Sequence, residues 1–296
     1  MTNKTKGIIA IIIAAFGFAL MSLFVKYASS DIPSTQKVLF RNGVSMIISF
    51  IMVLKFKSSF YGSLKNQPLL LIRSLLGTIG MLLFFYSIDT LPLGDANMLN
   101  RLSTFFLLIF SAIFLKEKMK PYQVFMIGLA FIGTLFIMKP TLDIVLLPYL
   151  ASIFAAITAG GAYTVLRALG KKETYYTVVL YFSTFSVVSI TLLMLIIDAP
   201  LFNYVAMDLK DIIFLCLAGG FATIGQFGTT LAYKFAPARD ISIFNYTNVI
   251  FASILGILAF GQIPDIYSII GYLIIFAAAY IMFIKGHKQE KTLETY

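Results

Sequence analysis

The sequence predicts an all-α integral membrane protein of ten transmembrane helices, arranged as two inverted five-helix repeats. Three observations carry this expectation: a composition too apolar for water, ten long apolar runs, and a second half that echoes the first. Of the 296 residues, 59% are hydrophobic and 12% charged, with a mean hydropathy of +0.92. Soluble domains carry about 25% charged residues. A membrane helix uses about 20 apolar residues, so ten of them leave only short connections and tails and exclude large extramembrane domains.

The runs are bounded by charge, proline or asparagine. The first, 7–28, follows Lys4 and Lys6; it is too long for a signal peptide and lacks a small-residue cleavage site, so a retained helix is expected. The second, 38–54, lies between Lys37 and Lys55. The third, 68–88, starts at Pro68 and stops before Asp89, and the fourth, 93–115, starts behind Pro92 and stops before Lys116. The fifth, 122–138, follows Pro121, and the sixth, 147–169, follows Asp143. The seventh, 177–197, ends before Asp198; the eighth, 212–233, lies between Asp211 and Lys234; the ninth, 241–260, follows Asp240; the tenth, 266–284, lies between Asp265 and Lys285. A membrane barrel would instead alternate apolar and polar residues in strands of about ten.

Of the 23 basic residues behind the net charge of +10, all but Lys26, Arg41, Arg73, Arg101 and Arg167 lie in the connections and tails. Alternate connections divide the basic residues 15 to 3, the larger set including Lys4, Lys55, Lys118, Lys172 and Lys285, the smaller being Lys37, Lys139 and Lys210. The positive-inside rule then places both termini in the cytoplasm of a multi-pass plasma-membrane protein. Basic residues beside membrane spans set topology, so no nucleic-acid partner is expected. With one cysteine, Cys216, and one histidine, His287, neither a disulfide, a metal site nor a cofactor is expected.

Residues 84–106 align without gaps to 229–251 at an offset of 145, matching Pro92 to Pro237, Asp95 to Asp240 and Asn100 to Asn245. Residues 14–26 align to 155–167 at an offset of 141, each ending in a basic residue. Two units result, 1–140 and 141–296, the second including a cytoplasmic tail. Five spans per unit is odd, so the second unit enters the membrane from the opposite side, the arrangement that suits alternating access.

The tract FYSIDTLPLGDANMLNRLSTFFLLIFSAIFLKEK and its echo resemble the drug/metabolite transporter superfamily, in particular its proteins with two EamA-type domains. The resemblance covers nearly the whole chain through a Leu-Pro-Leu turn before the fourth helix and a Leu-x-Glu at its end. Thr104 stands where that family often has proline, and Gln262 replaces the glutamate supplied by Glu117 in the first half. The resemblance implies that helices three, four, eight and nine, with parts of one and six, enclose a central cavity.

Arg101 is the residue that most demands explanation. It lies roughly 4 to 5 Å from the middle of its span at about 1.5 Å rise per residue, where an arginine costs about 2.5 to 3.5 kcal/mol unless it faces protein or water. Asn97 is one turn away on the same face, and Asn100 is adjacent. The repeat sets Ser242, Asn245 and Tyr246 opposite them, and Asn248 extends that face. These groups either line a substrate path or tie helices together. Arg41 is a further candidate that can alternatively snorkel to the headgroups, as can Lys26; Arg73 and Arg167 read as interface anchors. Tyr86, Gln226, Phe16 and Tyr163 fall on helices that the resemblance places around the cavity. Gly77, Gly80, Gly225 and Gly228 have the spacing of close helix packing, and Gly160 and Gly161 that of a hinge.

All thirteen Asp and Glu lie at span ends, in loops or in tails. A basic centre without a carboxylate suits an anion or zwitterion whose carboxylate pairs with guanidinium. No GxxxxGK[ST] loop is present, so movement must draw on a gradient or exchange. The expectation is therefore a secondary transporter of a small organic metabolite, an amino acid or other carboxylated or zwitterionic solute, with export favoured through the resemblance. The rivals are a carrier of cationic or neutral lipophilic compounds and a passive channel; no catalytic constellation marks an enzyme. The expected partners are a small-molecule substrate and the lipid bilayer, with a homodimer left open.

Overall fold

The computed structural model describes residues 3–116, 119–138, 146–169, 172–235 and 242–293. Eleven helices account for the ten runs: α1 (Asn3–Tyr27), α2 (Ser34–Lys55), α3 (Gln67–Thr90), α4 (Leu93–Asn100), α5 (Ser103–Phe114), α6 (Pro121–Met138), α7 (Leu146–Leu169), α8 (Tyr175–Ile196), α9 (Leu209–Phe235), α10 (Thr247–Phe260) and α11 (Ile266–Leu293). Among the described residues nine helical spans are long and apolar enough to cross a membrane, and a shorter apolar one runs from Phe244 to Phe260. Asp143, Glu117, Lys118 and the Pro237–Asp240 turn fall outside the described residues, as does Ile241 at the start of the ninth run.

The duplicated design is visible in register and packing. Helices α2 and α8 are each 22 residues long and start 141 residues apart, while α6 and α11 start 145 apart. Helix α1 packs on α9, and its repeat equivalent α7 packs on α3; α5 meets α7 as α10 meets α1; α2 meets α8 and α6 meets α11. Every one of these contacts maps onto another, or onto itself, when the halves are exchanged. That is the signature of a two-fold relation between inverted repeats.

Small residues set the two main crossings. A Cβ on Gly80 of α3 would lie 2.5 Å from Thr158 Oγ1 of α7, and one on Gly225 of α9 would lie 2.7 Å from the Phe18 ring of α1. Gly80 and Gly225 are repeat equivalents, so both halves use the same device, backbone approach permitted by a missing side chain. Gly160 lies against α5, where a Cβ would meet Phe106 Cβ at 2.5 Å. It serves packing, and α7 runs on as one helix through Gly160 and Gly161.

The core is contiguous, built around Phe85, Leu93, Leu99, Leu102 and Phe105, each at most 1% exposed. Large apolar side chains such as Ile47 and Ile51 on α2 and Leu192 and Leu195 on α8 stand exposed on the outside. An exposed apolar surface of that extent belongs against lipid.

The fourth span is not one helix. At Arg101 the amide bonds to Met98 O at 3.0 Å as well as to Asn97 O at 3.2 Å, and Leu102 N bonds to Leu99 O at 3.0 Å. These i to i−3 bonds tighten the backbone into a 3₁₀ turn between α4 and α5. In the second half the 3₁₀ segment Ser242–Tyr246 precedes α10, ending at the residue equivalent to Arg101. The interruption therefore arises in both repeats without a proline at Thr104.

Candidate functional site

Around that interruption the helices leave a cavity of about 140 Å³. Its wall combines the α3 face, Arg73, Gly77, Gly80, Met81, Phe84 and Phe85, with Asn97, Asn100 and Arg101 from the broken span. Arg41 enters from α2, Tyr163 from α7, Phe182 from α8 and Gln226 from α9, with Phe18 and Met21 from α1. Six of the residues singled out in the sequence, Arg101, Asn97, Asn100, Arg41, Gln226 and Tyr163, are thus brought together. Helices α2 and α8 take part although the family resemblance did not place them there, and α10 contributes no residue to this lining.

Asn97 is positioned by the helix start. Pro92 opens α4, whose first-turn carbonyl, Leu93 O, accepts from Asn97 Nδ2 at 2.9 Å. The Ser22 hydroxyl, bonded to Phe18 O at 3.0 Å, also reaches Asn97 Oδ1 at 3.3 Å and so ties α1 to α4. Gln262 fixes the same turn from the other repeat: Gly261, left-handed at φ 64°, ends α10, and Gln262 Oε1 then accepts from Leu93 N at 3.0 Å. The amide oxygen accepts this bond where the first repeat has a glutamate.

Arg41 does not snorkel. It is 1% exposed, donates to Asn42 Oδ1, and faces the Gln226 side-chain oxygen, which accepts from Nη2 at 2.8 Å and Nη1 at 3.0 Å in the amide orientation that satisfies both groups. Asn42 in turn donates to Ser186 Oγ at 2.7 Å, joining α2 to α8. Helix packing on all sides closes the route to the headgroups, so burial overrides the position of Arg41 near a helix end.

Arg73 is the residue that the sequence reading set aside as an interface anchor. Its guanidinium lies 4.0 Å from the centre of the Phe182 ring, a cation–π contact between α3 and α8. A methyl group at Gly77 would sit 2.9 Å from that ring and 3.3 Å from Arg73 Nη1, so glycine makes room for the stack. The signal was present in the sequence: Arg73, Gly77, Gly80 and Phe84 recur at helical spacing on one face. Lys26 does not snorkel either; its ammonium caps the end of α3, donating to Ile88 O at 2.8 Å and Leu91 O at 2.5 Å. Beside it Lys37, fully buried within α2, pairs with Asp89 at 2.5 Å.

The remaining candidates stand outside this lining. Tyr246 is buried, packs edge-on to Phe276 and lies within electrostatic reach of Arg101. Asn248 is fully buried and donates to Ala15 O at 2.9 Å, a tie between α10 and α1. Asn245 and Tyr86 are half-buried. Phe16 is 45% exposed and packs edge-on to Phe251 at 5.1 Å. Asp95, in the first turn of α4, is buried and accepts from Tyr272 Oη at 2.5 Å and Ser268 Oγ at 3.3 Å. No carboxylate occurs among the described residues lining the cavity.

Comparison with known proteins agrees with this architecture. The EamA-like transporter family matches twice, over residues 5–139 and 146–284. The pseudopaline exporter of Pseudomonas aeruginosa strain UCBPP-PA14 is 27% identical over 92% of this chain and 94% of its own length. Human solute carrier family 35 member G1 is 26% identical over 92% of this chain and 77% of its own. A riboflavin transporter of Brucella anthropi is 26% identical over 71% of this chain and 74% of its own. A crystal structure 14% identical in sequence, covering 97% of this chain and 99% of its own, superimposes with a TM-score of 0.67 and shows the shared fold. With two matching halves, ten apolar spans and a central cavity at interrupted helices, the chain belongs to the EamA-like transporter family, the membrane transporters of the drug/metabolite superfamily.

Proposed function

We propose that this transporter moves a small carboxylated or zwitterionic organic solute, amino acids and related metabolites being the favoured class, by alternating access across the plasma membrane. The observation that carries this reading is the presence of Arg41, Arg73 and Arg101 on one cavity wall with no acid among the described lining residues. A carboxylate offers guanidinium two parallel charge-assisted bonds in such a site. The inverted repeats support alternating access, because exchanging the two conformations of the halves moves the opening from one side to the other. Export is supported by the relative whose name is pseudopaline exporter.

The aromatic wall of Phe18, Phe84, Phe85 and Phe182 favours a second reading, a carrier of cationic or neutral lipophilic compounds. Thermal unfolding of the detergent-purified protein, with amino acids, organic acids, nucleobases and quaternary amines side by side, separates the two. A ligand at about 100 times its Kd stabilises the folded state by about 2.7 kcal/mol. Carboxylated compounds are expected to raise the midpoint; a rise with quaternary amines and none with acids would replace the first reading by the second. The cytoplasmic placement of both termini is tested by a single cysteine at Asp198 in a Cys216→Ala background. It should react with an impermeant thiol reagent on intact cells, and protection there together with labelling at Lys172 would invert the topology.

A further inference from the structure

We infer that the solute carries at least two carboxylates, one received by Arg41 and Arg73 together and the other by Arg101. The inference deepens the carboxylated-solute reading of the cavity and rests on it. Arg41 Nε and Arg73 Nη1 are buried donors without a hydrogen-bond partner, and neither arginine forms an ion pair with an acid among the described residues. The groups that do touch them are neutral. Asn42 and Gln226 fix the Arg41 guanidinium through amide oxygens, and the Phe182 ring supports that of Arg73.

These partners orient charge without cancelling it. Both guanidinium groups line the same cavity, and like charges in one buried space raise the cost of burying each other. Such a pair is incomplete until an anion arrives, since an uncompensated buried charge is strongly unfavourable. Arg101 reaches the same cavity from the interrupted fourth span. A solute with one carboxylate can engage one of the two positions. A small di- or tricarboxylate with an apolar skeleton engages both, and its middle then faces the apolar wall of Met81, Phe84 and Phe85.

The experiment measures half-maximal concentrations of propionate, succinate and tricarballylate by thermal shift on the full-length protein in detergent, at constant ionic strength and neutral pH. Succinate and tricarballylate are expected to act at concentrations about tenfold or more below propionate, because the second carboxylate binds intramolecularly. Arg73→Gln should bring the succinate to propionate ratio toward one. Phe182→Leu keeps both charges but removes the ring beneath Arg73, and should narrow the ratio as well; it decides the matter where Arg73→Gln does not fold. Equal values for the three acids, or an unchanged ratio in the folded variants, would overturn the inference. So would inorganic phosphate matching succinate, since a single compact anion would then satisfy the site without a second carboxylate. Propionate binding with no gain from a second carboxylate sinks this inference and leaves the carboxylated-solute reading standing. Binding of quaternary amines alone sinks both.

Discussion

Helices α2 and α8 are equivalent in the repeat, equal in length and in contact with each other, yet at the same register one carries Arg41 and the other Phe182. The same contrast recurs at the other equivalent positions: Arg101 faces Tyr246 across the repeat, and Arg73 corresponds to Ala218. The backbone is duplicated, with matched crossings at Gly80 and Gly225 and matched interruptions before α5 and α10. The charge is not duplicated. All three cavity arginines come from the first half, while the second contributes rings, hydroxyls and an amide. Alternating access needs only that the two backbones can exchange conformations. A single solute site needs one set of recognising groups, so the side chains are free to diverge.

The contrast can be broken at several points, beginning with the largest effect. The buried pair Lys37–Asp89 has Val178 and Lys234 at the equivalent positions of the second half. Lys37→Met should destabilise the protein by about 3 to 5 kcal/mol by stranding a buried carboxylate, and adding Asp89→Leu should recover most of it. Melting temperatures in detergent of the single and double variants check this; additive losses would mean that the pair is not coupled.

Next, Arg101→Ala should weaken binding of a carboxylated solute by about 2 to 5 kcal/mol, the scale for losing one member of a buried charge pair, whereas Tyr246→Phe should change it little. Arg101→Lys should restore only part, because an ammonium lacks the planar two-donor fork. Calorimetry with the acid and its amide analogue decides between contact and scaffold: equal losses for both ligands in Arg101→Ala would make the arginine a helix tie. Where the halves are alike, they should respond alike. Gly80→Leu and Gly225→Leu should each cost about 1 to 3 kcal/mol or more through overpacking, and tolerance at only one of them would show that the crossings are not equivalent. The smallest effect belongs to Asn248→Ala, which loses one interhelical hydrogen bond worth about 0.6 kcal/mol in a membrane and should leave solute binding intact.

Much of this was legible beforehand because the bilayer simplifies the problem. With no water to satisfy the backbone, a continuous apolar run has to be a helix, and span ends follow charge and proline to within a few residues. Duplication was readable from an ungapped alignment, and Arg101 from the cost of a cation near mid-span. Depth along one helix was legible; facing was not. Arg41 and Lys26 lie near helix ends, where snorkelling is the ordinary outcome, and only the neighbours α8, α9 and the end of α3 divert them inward. Arg73 was misplaced for the same reason, although the glycine face beside it pointed to the cavity.

The sequence by itself determined the ten spans, the two repeats and the surplus of buried positive charge, because these depend on composition and period along one chain. Only the tertiary structure decided which polar groups share a space. It drew Arg41, Arg73 and Arg101 to one cavity and set Asn248 and Tyr246 against neighbouring helices instead. It did so because rotation and crossing of helices are set by close packing at contacts such as Gly80 on Thr158 and Gly225 on Phe18. Those contacts join residues far apart in the chain, where no local period records them.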